Sequence, residues 1–190
     1  MNTANVSKLG YVGSIPTKPT KDRDSDAWFT PSYILEKARE VLGTIDLDPF
    51  SCSHANQSVQ AKRYLTSNDD ALVSQWCDDN DKINVWMNPP YSRGLLPASI
   101  DRFLHYWNKG NIAEGIILIN NTTDTKYFKL ISDHASAFCF TDKRLSFENI
   151  DGKRVSGNTR GQVFIYYGNN VDRFAETFDD LGLVLTKYHK

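Results

Sequence analysis

Asn88-Pro89-Pro90-Tyr91 follows directly on an apolar run, Ile83-Asn84-Val85-Trp86-Met87, that reads as a short buried strand. The chemistry this tetrapeptide suits is activation of a planar, poorly nucleophilic NH2 group. The Asn88 side-chain carbonyl and the Pro89 carbonyl both accept hydrogen bonds without becoming charged. Two such acceptors free the amine's lone pair from its ring and turn it toward an electrophile. Pro89 and Pro90 fix φ and remove two backbone donors, which stiffens the loop that holds the acceptors. The Tyr91 ring offers a face for a planar base that has left a duplex. Pro-Pro by itself marks a turn; the preceding strand and the flanking Asn and Tyr point to a catalytic loop.

A second set of candidates lies earlier in the chain. In an open α/β sheet, ligands bind outside the strand carboxyl ends, where the winding reverses. Ile45-Asp46-Leu47-Asp48-Pro49-Phe50-Ser51 reads as such a strand end. Asp48 suits the ammonium group or ribose hydroxyls of a methyl donor, while Asp46 either binds or supports the strand. Pro49 punctuates the turn, and the small Ser51 and Ser53 allow a ligand close to the backbone. Asp69-Asp70 is by default a solvated loop or a helix cap. A carboxylate at that point in the chain also suits the donor's adenine amine, and Asp70 is the stronger candidate of the two.

These candidates need a scaffold, and 190 residues suit one domain with a substantial core. The 22 Lys+Arg nearly balance 23 Asp+Glu, so any basic surface must be local. No apolar run is long enough to span a membrane, and the N-terminus has no apolar leader core. Cys52, Cys77 and Cys139 are scattered and lack metal spacing, which fits inert thiols in a reducing cytoplasm. Residues 1–25, rich in Lys, Thr, Asp, Ser and Pro, are expected to form a disordered arm ahead of a single domain over 26–190.

Within that domain, Thr30-Pro31 reads as the cap and first residue of a helix with Ile34, Leu35, Ala38, Val41 and Leu42 on one face, stopped by Gly43. A strand over 44–48, a weak helix over 55–63, a helix over 97–108 and a strand over 115–119 follow. Thr122 or Thr123 is expected to cap the next helix, which leads to a strand over 137–140. Segments 144–150 and 161–167 flank Asp151-Gly152 as a hairpin would. A helix over 172–181 and a strand over 183–188 close the chain. Strands alternating with helices predict an α/β sheet with an antiparallel element near the C-terminus.

Four motifs in order, Trp28-Phe-Thr-Pro31, Asp46-Leu-Asp-Pro49, Asp69-Asp70-Ala-Leu72 and Asn88-Pro-Pro-Tyr91, resemble the phage-type DNA N6-adenine methyltransferases. The text between and after them matches too: Ala55-Asn56, Lys62-Arg63-Tyr64, Asn121-Thr122-Thr123-Asp124-Thr125, Lys143-Arg144-Leu145-Ser146-Phe147 and Gly161–Gly168. The resemblance covers roughly residues 22–182. It implies a Rossmann-like class I methyltransferase fold, with a mixed, mostly parallel sheet and helices on both faces. It also implies S-adenosylmethionine as methyl donor, adenine N6 in double-stranded DNA as acceptor, and no metal. For a phage or prophage protein, the compartment would be the host cytoplasm. In such enzymes the Thr-Pro helix start contacts the donor's methionine end, a role that falls on Thr30 and Pro31. The chain departs from the wider fold in lacking its Phe-x-Gly-x-Gly turn, where Asp48-Pro49-Phe50-Ser51-Cys52 stands instead. Only 38 residues separate Pro49 from Asn88, which leaves little room for a target-recognition domain between them.

Recognition falls to basic residues after the catalytic loop. Arg93 suits a phosphate beside an extruded nucleotide. Lys126, Lys143 and Arg144, with Lys153, Arg154 and Arg160, suit the wall of a DNA cleft. The four histidines lack zinc spacing, His105 reads as packing or surface, and Trp76, Trp86 and Trp107 read as core. Two rival functions are methylation of cytosine N4 or protein glutamine, which shares the tetrapeptide, and DNA binding without transfer, which the intact Asn88-Pro89-Pro90-Tyr91 disfavours.

Overall fold

The computed structural model describes residues 29–92, 94–149, 151–154 and 158–187. The arm expected over residues 1–25 lies outside them, and so does Arg93.

The described elements, in chain order, are α1 (Ser32–Leu42), β1 (Leu47–Asp48), α2 (Ser53–Val59), β2 (Arg63–Tyr64), β3 (Ile83–Met87), α3 (Leu95–Asn108), β4 (Ile112–Asn120), α4 (Lys126–His134), β5 (Ala137–Thr141), β6 (Gln162–Tyr167), α5 (Val171–Phe178) and β7 (Gly182–Thr186). The seven strands form one sheet in the order β2-β1-β3-β4-β6-β5-β7. Pairing is parallel from β2 through β4 and antiparallel from β4 through β7. Two antiparallel steps separate β4 from β5, so β5 runs in the direction of β4. Only β6 and β7 run the other way.

Both faces of the sheet are covered because its strands are apolar on alternate sides. Val85, Met87, Ile117, Ile119, Val163, Ile165 and Tyr167 point to α3 and α4. Trp86, Ile116, Leu118, Phe164, Tyr166 and Cys139 point to α1 and α5. Trp76 and Trp86 are core, as expected, while Trp107 is only partly buried against it. His105 is on the surface.

Several local expectations differ from the structure, some for long-range reasons and some for local ones. The hairpin between segments 144–150 and 161–167 does not form. Every residue of β6 is buried, and only an interior place between β4 and β5 covers both of its faces. The 144–149 segment is instead a one-sided strap, with Leu145 and Phe147 buried and Arg144 and Ser146 exposed. Glu148 holds it by isolated bridges to Phe29 and Arg154. The weak helix stops at Val59, where Gln60 turns left-handed at φ 56°, and Arg63 belongs to β2. Thr125, not Thr122 or Thr123, caps α4 by accepting from the Phe128 amide at 3.3 Å. The Thr122 hydroxyl is engaged with Tyr127 Oη. Pro31, not Thr30, occupies the cap position of α1, and no side chain caps that helix.

Gly115 is required where β4 passes under α3. A Cβ there would meet Phe103 Cζ at 2.7 Å. Phe103 is fully buried against Tyr167, with ring centroids 4.9 Å apart, so it has no free direction of retreat. Gly115→Ala is expected to cost about 1–3 kcal/mol by overpacking. Chemical denaturation should show a lower midpoint with an unchanged slope; a midpoint equal to wild type would mean that Phe103 yields freely.

Candidate active site

Parallel strands put their carboxyl ends on one edge, and that edge collects the candidates. Asp48 ends β1, and Asn88 follows Met87 at the end of β3. Asp70 lies in the loop after β2, Lys126 opens α4 after β4, and Lys143-Arg144 follow β5. β1 pairs directly with β3 through Leu47 and Val85. The chain goes from β1 outward to β2 and returns to β3 on the other side of β1. The winding therefore reverses between Asp48 and Asn88, which is where such sheets hold ligands.

The Asn88–Tyr91 loop begins where the β3–β4 ladder ends, at Met87↔Ile117. Pro89 and Pro90 bring no N–H to extend it. Next along β4, the Leu118 carbonyl accepts from Tyr91 Oη at 3.2 Å. The same hydroxyl lies 3.2 Å from Asn88 Oδ1, so its single proton is shared between two acceptors. Tyr91 is thus anchored at its hydroxyl while the residue stays 38% exposed. Burial of that polar end pushes the phenol pKa up. Asn88 is half-buried, with Nδ2 donating to Thr30 Oγ1 at 3.1 Å. Sequence reasoning gave Thr30 to the helix cap and missed this link to a residue 58 positions away. No local pattern carries it.

Asp48 is 3% exposed. Its Oδ1 accepts from the Phe50 amide at 3.2 Å. Burial raises its pKa to about 7, against the opposing pull of that amide and of nearby Ser51. The Ser51 hydroxyl is itself buried without a hydrogen bond of good geometry. A buried acceptor beside an orphaned hydroxyl fits a ligand that brings hydrogen-bond donors. Pro49 is buried and shapes this turn.

The other two candidate carboxylates differ. Asp46 is committed to structure: Oδ2 accepts from the Asn84 amide at 2.8 Å and Oδ1 pairs with Lys62 Nζ at 2.7 Å. Asp69 is held by the Thr66 amide and hydroxyl, which lower its pKa. Asp70 is exposed at φ 48° and accepts from the Leu72 amide through Oδ1. Lys126, Lys143, Arg144 and Arg154 are exposed and have no ion pair among the described residues. The last three line a cavity of about 280 Å³ with Tyr33, Asp142 and Asp180, and Asp180 is paired with Lys37 at 2.8 Å. Among the described residues no cluster of His, Cys, Asp and Glu is arranged for a metal ion, and no helix is long and apolar enough to cross a membrane.

The raised pKa of Asp48 makes stability depend on pH. Its folded-state value of about 7 lies above the ordinary 3.8, so the folded protein holds this proton more tightly than the unfolded chain. That stabilisation is complete below about pH 4 and is lost as pH rises through about 7. Asp48→Asn should be free of the loss, opening a gap over wild type on the order of 2–4 kcal/mol by pH 8. Thermal melts of both proteins from pH 4 to 8 check this; parallel curves would contradict it.

Comparison with known proteins supplies the family. The DNA N-6-adenine-methyltransferase (Dam) family matches residues 17–175. A DNA N-6-adenine-methyltransferase of Haemophilus phage HP1 (strain HP1c1) is 28% identical over 154 residues, covering 78% of this chain and 82% of that protein. The chain belongs to the DNA N-6-adenine-methyltransferase (Dam) family and is an adenine-specific DNA methyltransferase.

Proposed function

We propose that the chain transfers a methyl group from S-adenosylmethionine to N6 of an adenine flipped out of double-stranded DNA, on a Rossmann-like class I fold. The observation that carries this reading is the shared edge, where neutral acceptors at the end of β3 adjoin a buried carboxylate at the end of β1. The reversal of winding between those strands supports the fold assignment.

Asn88 Oδ1 and the Pro89 carbonyl accept from the N6 amine and hold its lone pair toward the donor. Tyr91 carries the stacked base. As the amine arrives, the shared Tyr91 proton goes wholly to the Leu118 carbonyl, which frees Asn88 Oδ1 while the ring stays anchored. S-adenosylmethionine, when bound, supplies the electrophilic methyl group. Methylation leaves a surplus proton on N6, which the uncharged acceptors pass to water because neither can keep it. Orientation and fixed dipoles therefore do most of the work. Asp48 and Ser51 receive the donor's ammonium or ribose hydroxyls, and Asp70 its adenine amine. The start of α1 at Pro31 faces its methionine end. Pro49 and Asp46 shape and brace the β1 turn.

DNA lies along the same edge, against Lys126, Lys143 and Arg144. Leu145 and Phe147, anchored beneath the strap, turn Arg144 outward, Lys143 is exposed just ahead of it, and Gln162 Oε1 accepts from the Leu145 amide at 2.9 Å. Arg93 follows the catalytic loop in sequence and completes the phosphate contacts.

Asn88→Ala should slow methyl transfer on saturating DNA by about 2.7–4 kcal/mol of barrier, the scale of one oriented polar group. Affinity for S-adenosylhomocysteine should be kept. Single-turnover transfer and calorimetry read the two effects separately, and an unchanged rate would remove Asn88 from the mechanism. The paired Lys143→Gln, Arg144→Gln variant should flatten the dependence of log affinity on log salt by about 0.9 for each lost phosphate contact. DNA titrations between low and moderate salt test this; an unchanged slope would put DNA on another surface.

A further inference from the structure

Thr30 stands where a helix-capping hydroxyl is expected, yet it does not cap. α1 has Pro31 at its cap position and no side-chain cap bond. The Pro31 carbonyl accepts from the Ile34 and Leu35 amides, and Thr30 Oγ1 instead accepts from Asn88 Nδ2 at 3.1 Å. Thr30 is only 9% exposed, so water competes weakly for this bond. Its backbone is fixed too. Phe29, the residue before it, exchanges two hydrogen bonds with Glu148, at 2.7 and 2.9 Å, and Glu148 belongs to the strap that carries Lys143 and Arg144.

We propose that Thr30 is a positioning residue: its hydroxyl holds the Asn88 amide by the nitrogen, so that Oδ1 faces the incoming adenine amine. An Asn side chain rotated by half a turn presents a donor in place of the acceptor. A donor facing the N6 amine repels it and leaves the lone pair conjugated. Tyr91 Oη and Thr30 Oγ1 engage opposite ends of the amide, Oδ1 and Nδ2, and once the Tyr91 proton goes to the Leu118 carbonyl, Thr30 is the contact that remains. Thr30 limits the amide's rotation from the other side, and the strap holds Thr30 in reach through the Phe29–Glu148 bridge. The device joins the strap to Asn88 through two contacts, Glu148 with Phe29 and Thr30 with Asn88, linked by the Phe29-Thr30 peptide.

This inference rests on the reading of Asn88 as the acceptor for adenine N6, and the test separates the two. Thr30→Val keeps the β-branched shape and removes the hydroxyl; Thr30→Ser keeps the hydroxyl. Single-turnover methyl transfer to DNA, affinity for S-adenosylhomocysteine and melting temperature are measured for each, alone and combined with Asn88→Ala. The expected result is a roughly tenfold slower transfer in Thr30→Val, the size of one buried hydrogen bond. Thr30 also stands at the Thr-Pro helix start assigned to the donor's methionine end, so any loss of ligand affinity should be smaller than the loss of rate, and Thr30→Ser should run near the wild-type rate. In the Asn88→Ala background, Thr30→Val should add no further slowing. Equal slowing in both backgrounds, a matching loss of ligand affinity, or a wild-type rate in Thr30→Val would each overturn the proposal. If Thr30→Val melts many degrees lower, Thr30→Ala against Thr30→Ser gives the same decision. An Asn88→Ala variant at full rate would instead reject the reading of Asn88 itself.

Discussion

The site depends on one pairing, the parallel contact of β1 with β3 at Leu47 and Val85. Because the chain leaves β1 for β2 on one side and returns to β3 on the other, the crevice between Asp48 and Asn88 lies where the winding reverses. Two chemically opposite groups therefore end side by side. One is a buried carboxylate with unmet acceptor capacity; the other is a set of uncharged acceptors. Asp46 secures the geometry from behind by taking the Asn84 amide of β3 and the Lys62 ammonium. An exposed pair of this kind contributes little energy by itself, but the Asn84 bond ties the two strands together just below the site.

Neutral acceptors suit the reaction. In the proposed reaction Asn88 and Pro89 polarise the amine and then release the proton. The cost is that an amide has no intrinsic preference between its two ends. The environment must choose, and it does so through groups from three parts of the chain: Thr30 before α1, Tyr91 in the loop, and Leu118 in β4. The prolines contribute by ending the β3–β4 ladder, which leaves the Leu118 carbonyl for the Tyr91 hydroxyl.

Much of this was legible in residue order. Ile83–Met87, Ile112–Asn120 and the Ile100-Phe103-Leu104 face of α3 carry their periodicity openly. The place of the tetrapeptide was legible too, directly after the strand Ile83–Met87. The failures that bear on the site were decided by partners distant in sequence. The Thr30 hydroxyl left its local cap for Asn88. The segment Gln162–Tyr167 left its sequence neighbour for a place between β4 and β5, where both of its faces are buried. Asp46 and Asp48 look equivalent in sequence, two residues apart. Only the fold shows that one braces a strand while the other lies buried beside an unpartnered Ser51 hydroxyl.

The central claim is that these neutral acceptors direct a methyl group to one nitrogen of one base. Unmethylated plasmid DNA incubated with the protein and methyl-labelled S-adenosylmethionine, then digested to nucleosides and separated, tests it most directly. The label should appear in N6-methyl-2′-deoxyadenosine. Label in N4-methyl-2′-deoxycytidine, label on added protein, or intact DNA that binds the chain but gains no methyl group would contradict the account.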